Sequence, residues 1–172
     1  MGHALLIVIV EPDTPSGRIE QRVGELMEPY DQDCDAYGRE NIEEPCGCLD
    51  STSTANPTCD ECDGSGSIVV SYNPRETFDW YEPGGRWDGD IRLGLAPSPG
   101  WFEQAPNDIK RNMVLVQDVP PTFVPWAVLT PDGEWHGGGP HADKDEDAWA
   151  VEQEGILRGH PEHLAIGVDF HY

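Results

Sequence analysis

Two apolar segments at opposite ends of the chain predict the central strands of a β-sheet. Residues 4–10 are uniformly apolar and rich in β-branched side chains, which is typical of a strand buried on both faces. Residues 164–171 predict a closing strand. Shorter segments of strand character cover residues 67–72, 90–95 and 112–119.

Helical periodicity is found after the first strand and before the last one. Apolar residues at i, i+4, i+7 and i+8 predict a helix over residues 17–28, with Thr14 or Ser16 as N-cap and Pro29 at its end. These apolar positions are Ile19, Val23, Leu26 and Met27. Acidic residues at the start of residues 143–158 favour the positive end of a second helix dipole.

The order of these elements predicts the fold class. Residues 126–130 and 134–136 flank a Pro-Asp-Gly turn and predict a β-hairpin. We therefore expect a single α+β domain over residues 1–172, with two helices on one face of a mostly antiparallel sheet. A ferredoxin-like core is the specific expectation.

Four cysteines form two close pairs in the polar stretch after the first helix. Cys46 and Cys48 make a C-x-C pair, and Cys59 and Cys62 make a C-x-x-C pair. Two thiolates on each of two turns can complete the tetrahedral coordination that structural Zn²⁺ adopts. The sequence therefore predicts a structural zinc site in a small insert at residues 45–66.

The second pair continues as C-D-E-C-D-G-S-G, which resembles one half-repeat of the zinc-binding cysteine-rich domain of DnaJ-type co-chaperones. The resemblance covers eight residues and implies a metal-binding turn without implying chaperone activity. Disulfides or redox-active thiols are the alternatives. The chain shows no signal-peptide pattern, so we expect a reducing cytoplasm, where paired cysteines are more often metal ligands. Cys34 is expected to be an inert thiol.

The net charge is the most informative part of the composition. Ten Lys and Arg oppose 33 Asp and Glu, which gives a formal net charge of −23. Such a surface repels nucleic acid and anionic membranes and favours basic partners. A solvated surface that maintains solubility is the simpler interpretation, and an acidic patch that mimics nucleic acid on a binding protein is the sharper one.

Several short motifs follow one another in a recognisable order. They are residues 27–31, the C-x-x-C-x-G-S-G segment, Tyr72-Asn73-Pro74, Asp79-Trp80-Tyr81, Gly84-Gly85-Arg86-Trp87, residues 130–135 and residues 168–171. Together they resemble a family of uncharacterised proteins of bacteriophages and of the actinobacteria that host them. The resemblance spans most of the chain, implies a phage accessory protein in the host cytoplasm, and implies no mechanism.

One group of residues could carry chemistry outside the cysteines. Arg86 is among the few cations and could grip a phosphate or carboxylate beside Trp80 and Trp87. Asp79, Asp169 and His171 are the accompanying acid–base candidates. The structural alternative is an arginine that bridges a core carboxylate, with the tryptophans as ordinary packing.

The histidines offer a second, weaker pattern. His136 and His141 flank a glycine-rich loop, and His160 and His163 are three residues apart. With Asp169 and His171 they could form an open metal site, although no H-E-x-x-H spacing is present.

These patterns favour a non-enzymatic phage accessory protein that binds and modulates a host or phage protein through its acidic surface. The first alternative is a small enzyme or ligand-binding domain that acts on a nucleotide-like anion at Arg86, Asp79, Asp169 and His171. The second alternative is a virion or assembly component. The sequence does not predict an oligomeric state.

Overall fold

The computed structural model describes residues 2–93, 109–138 and 145–172. The strands are β1 (His3–Val10), β2 (Glu40–Pro45), β3 (Ser67–Tyr72), β4 (Trp80–Pro83), β5 (Met113–Leu115), β6 (Ala127–Leu129), β7 (Trp135–Gly137) and β8 (Leu164–His171). The helices are α1 (Ile19–Met27), α2 (Asp90–Leu93) and α3 (Glu146–Arg158).

Within the described residues six strands form the main sheet: five follow the order β4-β8-β1-β6-β7, and β5 pairs with β8. The outer edge of β8 is shared, because β4 pairs with its C-terminal half and β5 with its N-terminal half. Only the β1–β6 pair is parallel, and the others are antiparallel. The predicted α+β class with a mostly antiparallel sheet is therefore confirmed.

The two longer helices cover opposite faces of this sheet. Alternate residues of β1 point to opposite faces, so that Leu6 and Val8 pack with α1, whereas Leu5 and Ile7 pack with Trp149 of α3. The prediction of both helices on one face is thus wrong in this detail. The parallel strands β1 and β6 also pair directly, which differs from the split β-α-β arrangement of a ferredoxin-like core.

Most predicted elements are found, and three differ. The α1 helix begins at Ile19, after a 3₁₀ turn, with no side-chain N-cap from Thr14 or Ser16. Residues 90–93 form a short helix where a strand was expected. The strand expected over residues 112–119 is limited to Met113–Leu115 and continues as a 3₁₀ turn.

A separate two-stranded sheet carries the cysteines. β2 and β3 pair antiparallel from Glu40↔Tyr72 to Pro45↔Ser67, and residues 46–66 form the loop at their tip. We call residues 40–72 the acidic ribbon. Every residue of β2 is exposed. The strand therefore shows no alternation of apolar and polar residues that would have predicted it from the sequence.

No helix in the described ranges combines the length and the apolar character needed to cross a membrane.

Candidate functional site

The loop of the acidic ribbon brings the four predicted cysteines into one cluster. The Sγ atoms of Cys46, Cys48, Cys59 and Cys62 all lie within 4.8 Å of one another. The distances are 3.7 Å from Cys46 to Cys59 and 3.6 Å from Cys48 to Cys62. These exceed the S–S bond of about 2.05 Å in a disulfide and approach the edge of about 3.8 Å of a tetrahedron with metal–sulfur bonds of about 2.3 Å. The cluster could therefore hold a metal ion.

Two glycines allow the chain to fold closely around this cluster. Gly64 and Gly66 have φ angles of 75° and 84°, which L side chains rarely adopt. The Gly66 N–H donates to Cys62 Sγ at 3.3 Å, and its carbonyl accepts from the Cys46 N–H at 2.9 Å. Gly66 thus helps to fix the positions of Cys62 and Cys46, and Gly64 permits the tight turn that the C-x-x-C-x-G-x-G pattern predicts.

The thiols of the cluster differ in acidity. The hydrogen bond from the Gly66 N–H, with help from the neighbouring thiols, lowers the pKa of Cys62 to about 7. At Cys46 the Cys48 N–H acts to lower the pKa, but burial and the other thiols outweigh it and raise the pKa to about 12. Cys62 is therefore the first of these two to present a thiolate to a metal, and binding there displaces protons from the remaining thiols.

The acidic ribbon concentrates negative charge around the cluster. Residues 40–72 contain seven Asp and Glu and no Lys, Arg or His, so 33 of the 172 residues carry −7 of the net −23. One face of the ribbon is partly apolar, and Ile42 and Val70 line an open cleft of ≈ 490 Å³ with Glu44 and Glu76. A third apolar side chain, Val69, is 72% exposed on the other face.

The polar candidates outside the ribbon meet at one corner of the main sheet. His171 Nδ1 lies 2.7 Å from Asp79 Oδ1. Asp169 is buried, with 1% of its surface exposed, and its Oδ2 accepts a 3.1 Å hydrogen bond from the backbone N–H of Arg86. Three predicted residues thus contribute side chains to one region, and Arg86 contributes its main chain.

Sequence reasoning missed His3, which completes this corner. His3 Nδ1 lies 2.9 Å from Asp169 Oδ1, and its ring contacts that of His171 with centroids 5.1 Å apart. The pairing of His3 with His171 across β1 and β8 creates the contact. The only available signal was the alternation that places His3 on the same face as Leu5.

The two tryptophans that the sequence placed beside Arg86 lie in different surroundings. Trp87 is 7% exposed and packs in the core on the α3 face. Trp80 is 44% exposed and contacts the His3 ring, with centroids 5.9 Å apart. The Arg86 residue is exposed.

The remaining histidines that the structure describes do not join a group of three or more potential metal ligands. His160 and His163 stack edge to face at 4.9 Å, and burial lowers the pKa of His160. His136 lies 3.8 Å from Glu134, and His141 is outside the described residues. Within the described ranges, the four cysteines are the one group of three or more potential ligands close enough to share an ion. Cys34 is a buried free thiol.

Comparison of the chain with protein-family models, curated proteins and solved structures gives no match.

Proposed function

We propose that this chain is a non-enzymatic accessory protein, of the phage type that its sequence resembles, which binds a basic host or phage protein through the acidic ribbon. The observation that carries the proposal is the coincidence of charge and shape. Seven acidic residues and no basic ones lie on a two-stranded element in which all of β2 is exposed. Charge complementarity of this kind accelerates association with basic partners.

Zinc is the ion that best suits the cysteine cluster. Four thiolates at the vertices of a tetrahedron match structural zinc, and a closed four-sulfur site leaves no coordination position for a substrate. Within the described chain β2 and β3 pair only with each other, so the main sheet does not support the loop between them. The role of the zinc ion here is to order this loop, residues 46–66. A zinc ion with four thiolates also adds two negative charges to the ribbon.

The partly apolar face of the ribbon gives the expected partner more definite chemistry. Ile42 and Val70 form an apolar strip, and three carboxylates and one cation lie along the same cleft: Glu44, Glu76, Asp33 and Arg39. A partner segment that carries Lys or Arg beside an apolar side chain would match both the carboxylates and the apolar strip. Apolar contact would provide the short-range stability, and the carboxylates would direct the approach.

Metal analysis tests the zinc assignment. Purified wild-type protein should contain one zinc per chain, and a Cys59→Ser/Cys62→Ser variant should contain none. Hydrogen exchange should then lose protection in residues 40–72 while β1 and β8 keep theirs, because the ribbon forms its own sheet. Cys34→Ser is the matched control, since Cys34 lies outside the cluster. A metal-free wild type with a protected ribbon would contradict the assignment.

Affinity capture from a bacterial lysate tests the partner. Immobilised wild type should retain a basic protein at about 0.1 M salt and release it at about 1 M, where the Debye length falls to about 3 Å. Glu44→Gln/Asp60→Asn/Asp63→Asn removes three exposed charges from the ribbon and should weaken retention. Asp13→Asn/Glu20→Gln/Glu162→Gln removes as many from the main domain and should not. Equal loss in both variants would refute recognition by the ribbon.

A further inference from the structure

Two imidazole–carboxylate pairs lie side by side at the corner where β1, β8 and β4 meet. His3 pairs with Asp169 at 2.9 Å and His171 with Asp79 at 2.7 Å, in each case through Nδ1. His3, His171 and Trp80 are in register across the three strands. Directly opposed residues on neighbouring antiparallel strands project from the same face, which explains why the two rings touch.

The carboxylates determine which ring nitrogen is available. An ionised carboxylate only accepts hydrogen bonds, so each Nδ1 carries the proton and each Nε2 presents its lone pair. No hydrogen bond within the described chain reaches either Nε2, and neither atom is among the enclosed polar atoms without a partner. Both rings are about a quarter exposed, at 23% and 25%. The Nε2 atoms of two rings whose centroids lie 5.1 Å apart are thus not enclosed by the protein.

This arrangement has the features of metal-binding histidines. A ligating histidine almost always donates its other N–H to a carboxylate, which fixes the ring and raises the basicity of the ligand. Imidazole nitrogen suits borderline transition metals, whereas Ca²⁺ and Mg²⁺ prefer oxygen. The two carboxylates also supply negative charge that complements a divalent cation and disfavours a phosphate.

Asp169 is held in place from behind. Its Oδ2 accepts the Arg86 backbone N–H, and the turn at Gly85 brings the chain against its side chain. Because Asp169 is 1% exposed, the geometry of the His3 pair is fixed by the protein before any ion arrives. Such preorganisation favours binding, since the His3 ring is already oriented when the metal enters.

We propose that His3 and His171 bind a divalent transition metal such as Zn²⁺ through their Nε2 atoms, with Asp79 and Asp169 as orienting residues. Two protein ligands leave the remaining coordination positions to water or to a donor from a bound molecule, so this site exchanges its metal more readily than the four-cysteine cluster. It is independent of that cluster and of the proposed partner.

Calorimetry with Zn²⁺ as the probe tests this site. Protein that already holds one zinc at its cysteines is titrated with further Zn²⁺, and we expect one additional equivalent. His171→Gln and His3→Gln should each remove it. His136→Gln is the matched control, because His136 has a similar exposure of 24% and its carboxylate neighbour among the described residues, Glu134, lies 3.8 Å away, beyond hydrogen-bond distance. Retention of the second equivalent by His171→Gln, or no second equivalent in the wild type, would overturn the proposal.

Two readouts distinguish metal binding from a purely structural role. Asp79→Asn should weaken the second equivalent by about 10- to 100-fold, the usual cost of removing an orienting carboxylate. The ¹⁵N resonances of Nε2 in His3 and His171 should shift on zinc addition, and those of Nδ1 should change less. Unchanged Nε2 resonances at saturating Zn²⁺ would exclude these rings as ligands.

Discussion

At the scale of the residue, the G-G-R-W motif serves a carboxylate of the chain itself. Gly84 and Gly85 have φ angles of 79° and 52°, so the turn favours glycine. This turn lets the Arg86 backbone N–H approach an anion, and that anion is the Asp169 carboxylate. A Cβ at residue 85 would lie 2.5 Å from Asp169 Oδ2 and closer still to its Cβ.

Gly85→Ala should therefore destabilise the protein strongly. The positive φ costs about 1–2 kcal/mol for an L residue, and the collision with a buried carboxylate adds to it. Gly133→Ala is the control, since Gly133 has a φ of 82° but open space around it. Urea denaturation should show a loss at least about 2 kcal/mol larger for Gly85→Ala. Equal losses would mean that Asp169 moves aside without cost.

Asn73 shows the physical role of another motif residue. It is fully buried, its Nδ2 donates to the carbonyls of Pro29 and Asp31, and its Oδ1 accepts from the Arg75 N–H. The N-P motif thus joins the base of the ribbon to the end of α1 by satisfying three backbone groups. No feature of the local sequence indicates these partners, which lie more than 40 residues away.

At the scale of the element, one ion pair joins α1 to two parts of the main sheet. Arg22 donates to both Glu11 carboxylate oxygens at 2.6 and 3.0 Å, and to the Pro131 carbonyl at 2.8 Å. It therefore connects the end of β1 with the turn between β6 and β7. The hydrogen bond from Arg22 lowers the pKa of Glu11 below its usual 4.5.

Glu11→Gln should lower stability in a way that depends on pH. Because the pKa is lowered in the folded chain, the pair stabilises above about pH 4.5 and its contribution is lost as the pH falls through the lower folded value. We expect a loss of about 1 kcal/mol at pH 7, since both side chains are partly exposed. Thermal unfolding from pH 7 to pH 3 measures it, with Glu20→Gln as an exposed control. A stability difference between wild type and Glu11→Gln that grows as the pH falls would contradict this linkage.

For the molecule as a whole, the large negative net charge destabilises the compact folded state. A net charge of −23 on 172 residues creates self-repulsion. Salt screens this repulsion, so stability should rise with ionic strength even though individual ion pairs weaken.

Thermal unfolding in increasing NaCl measures this effect. Between about 0.02 and 0.5 M we expect a gain of about 1 kcal/mol, or about 2–4 °C in Tm. The variant Glu44→Gln/Asp60→Asn/Asp63→Asn, with three fewer charges, should gain less. A Tm that falls with salt would show that attractive pairs outweigh the repulsion.

The features that could be predicted from the sequence are those that arise from interactions between residues close together in the chain. The buried strand at residues 4–10, the α1 periodicity, the hairpin around Pro131-Asp132-Gly133 and the α+β class depend on patterns within a few residues. The cysteine cluster also follows from local spacing, because each pair lies on a single turn and the glycines permit the close return of the chain. These features need no knowledge of distant partners.

Other features depend on contacts between residues far apart in the sequence and are known only from the three-dimensional structure. The choice of β6 and β8 as neighbours of β1, and of opposite faces for α1 and α3, follows from packing that no local pattern encodes. The site formed by His3, Asp169, His171 and Asp79 requires residues from both ends of the chain and from its middle. The sequence indicates Asp79, Asp169 and His171 as candidates and does not indicate His3, and strand register alone makes the four residues neighbours.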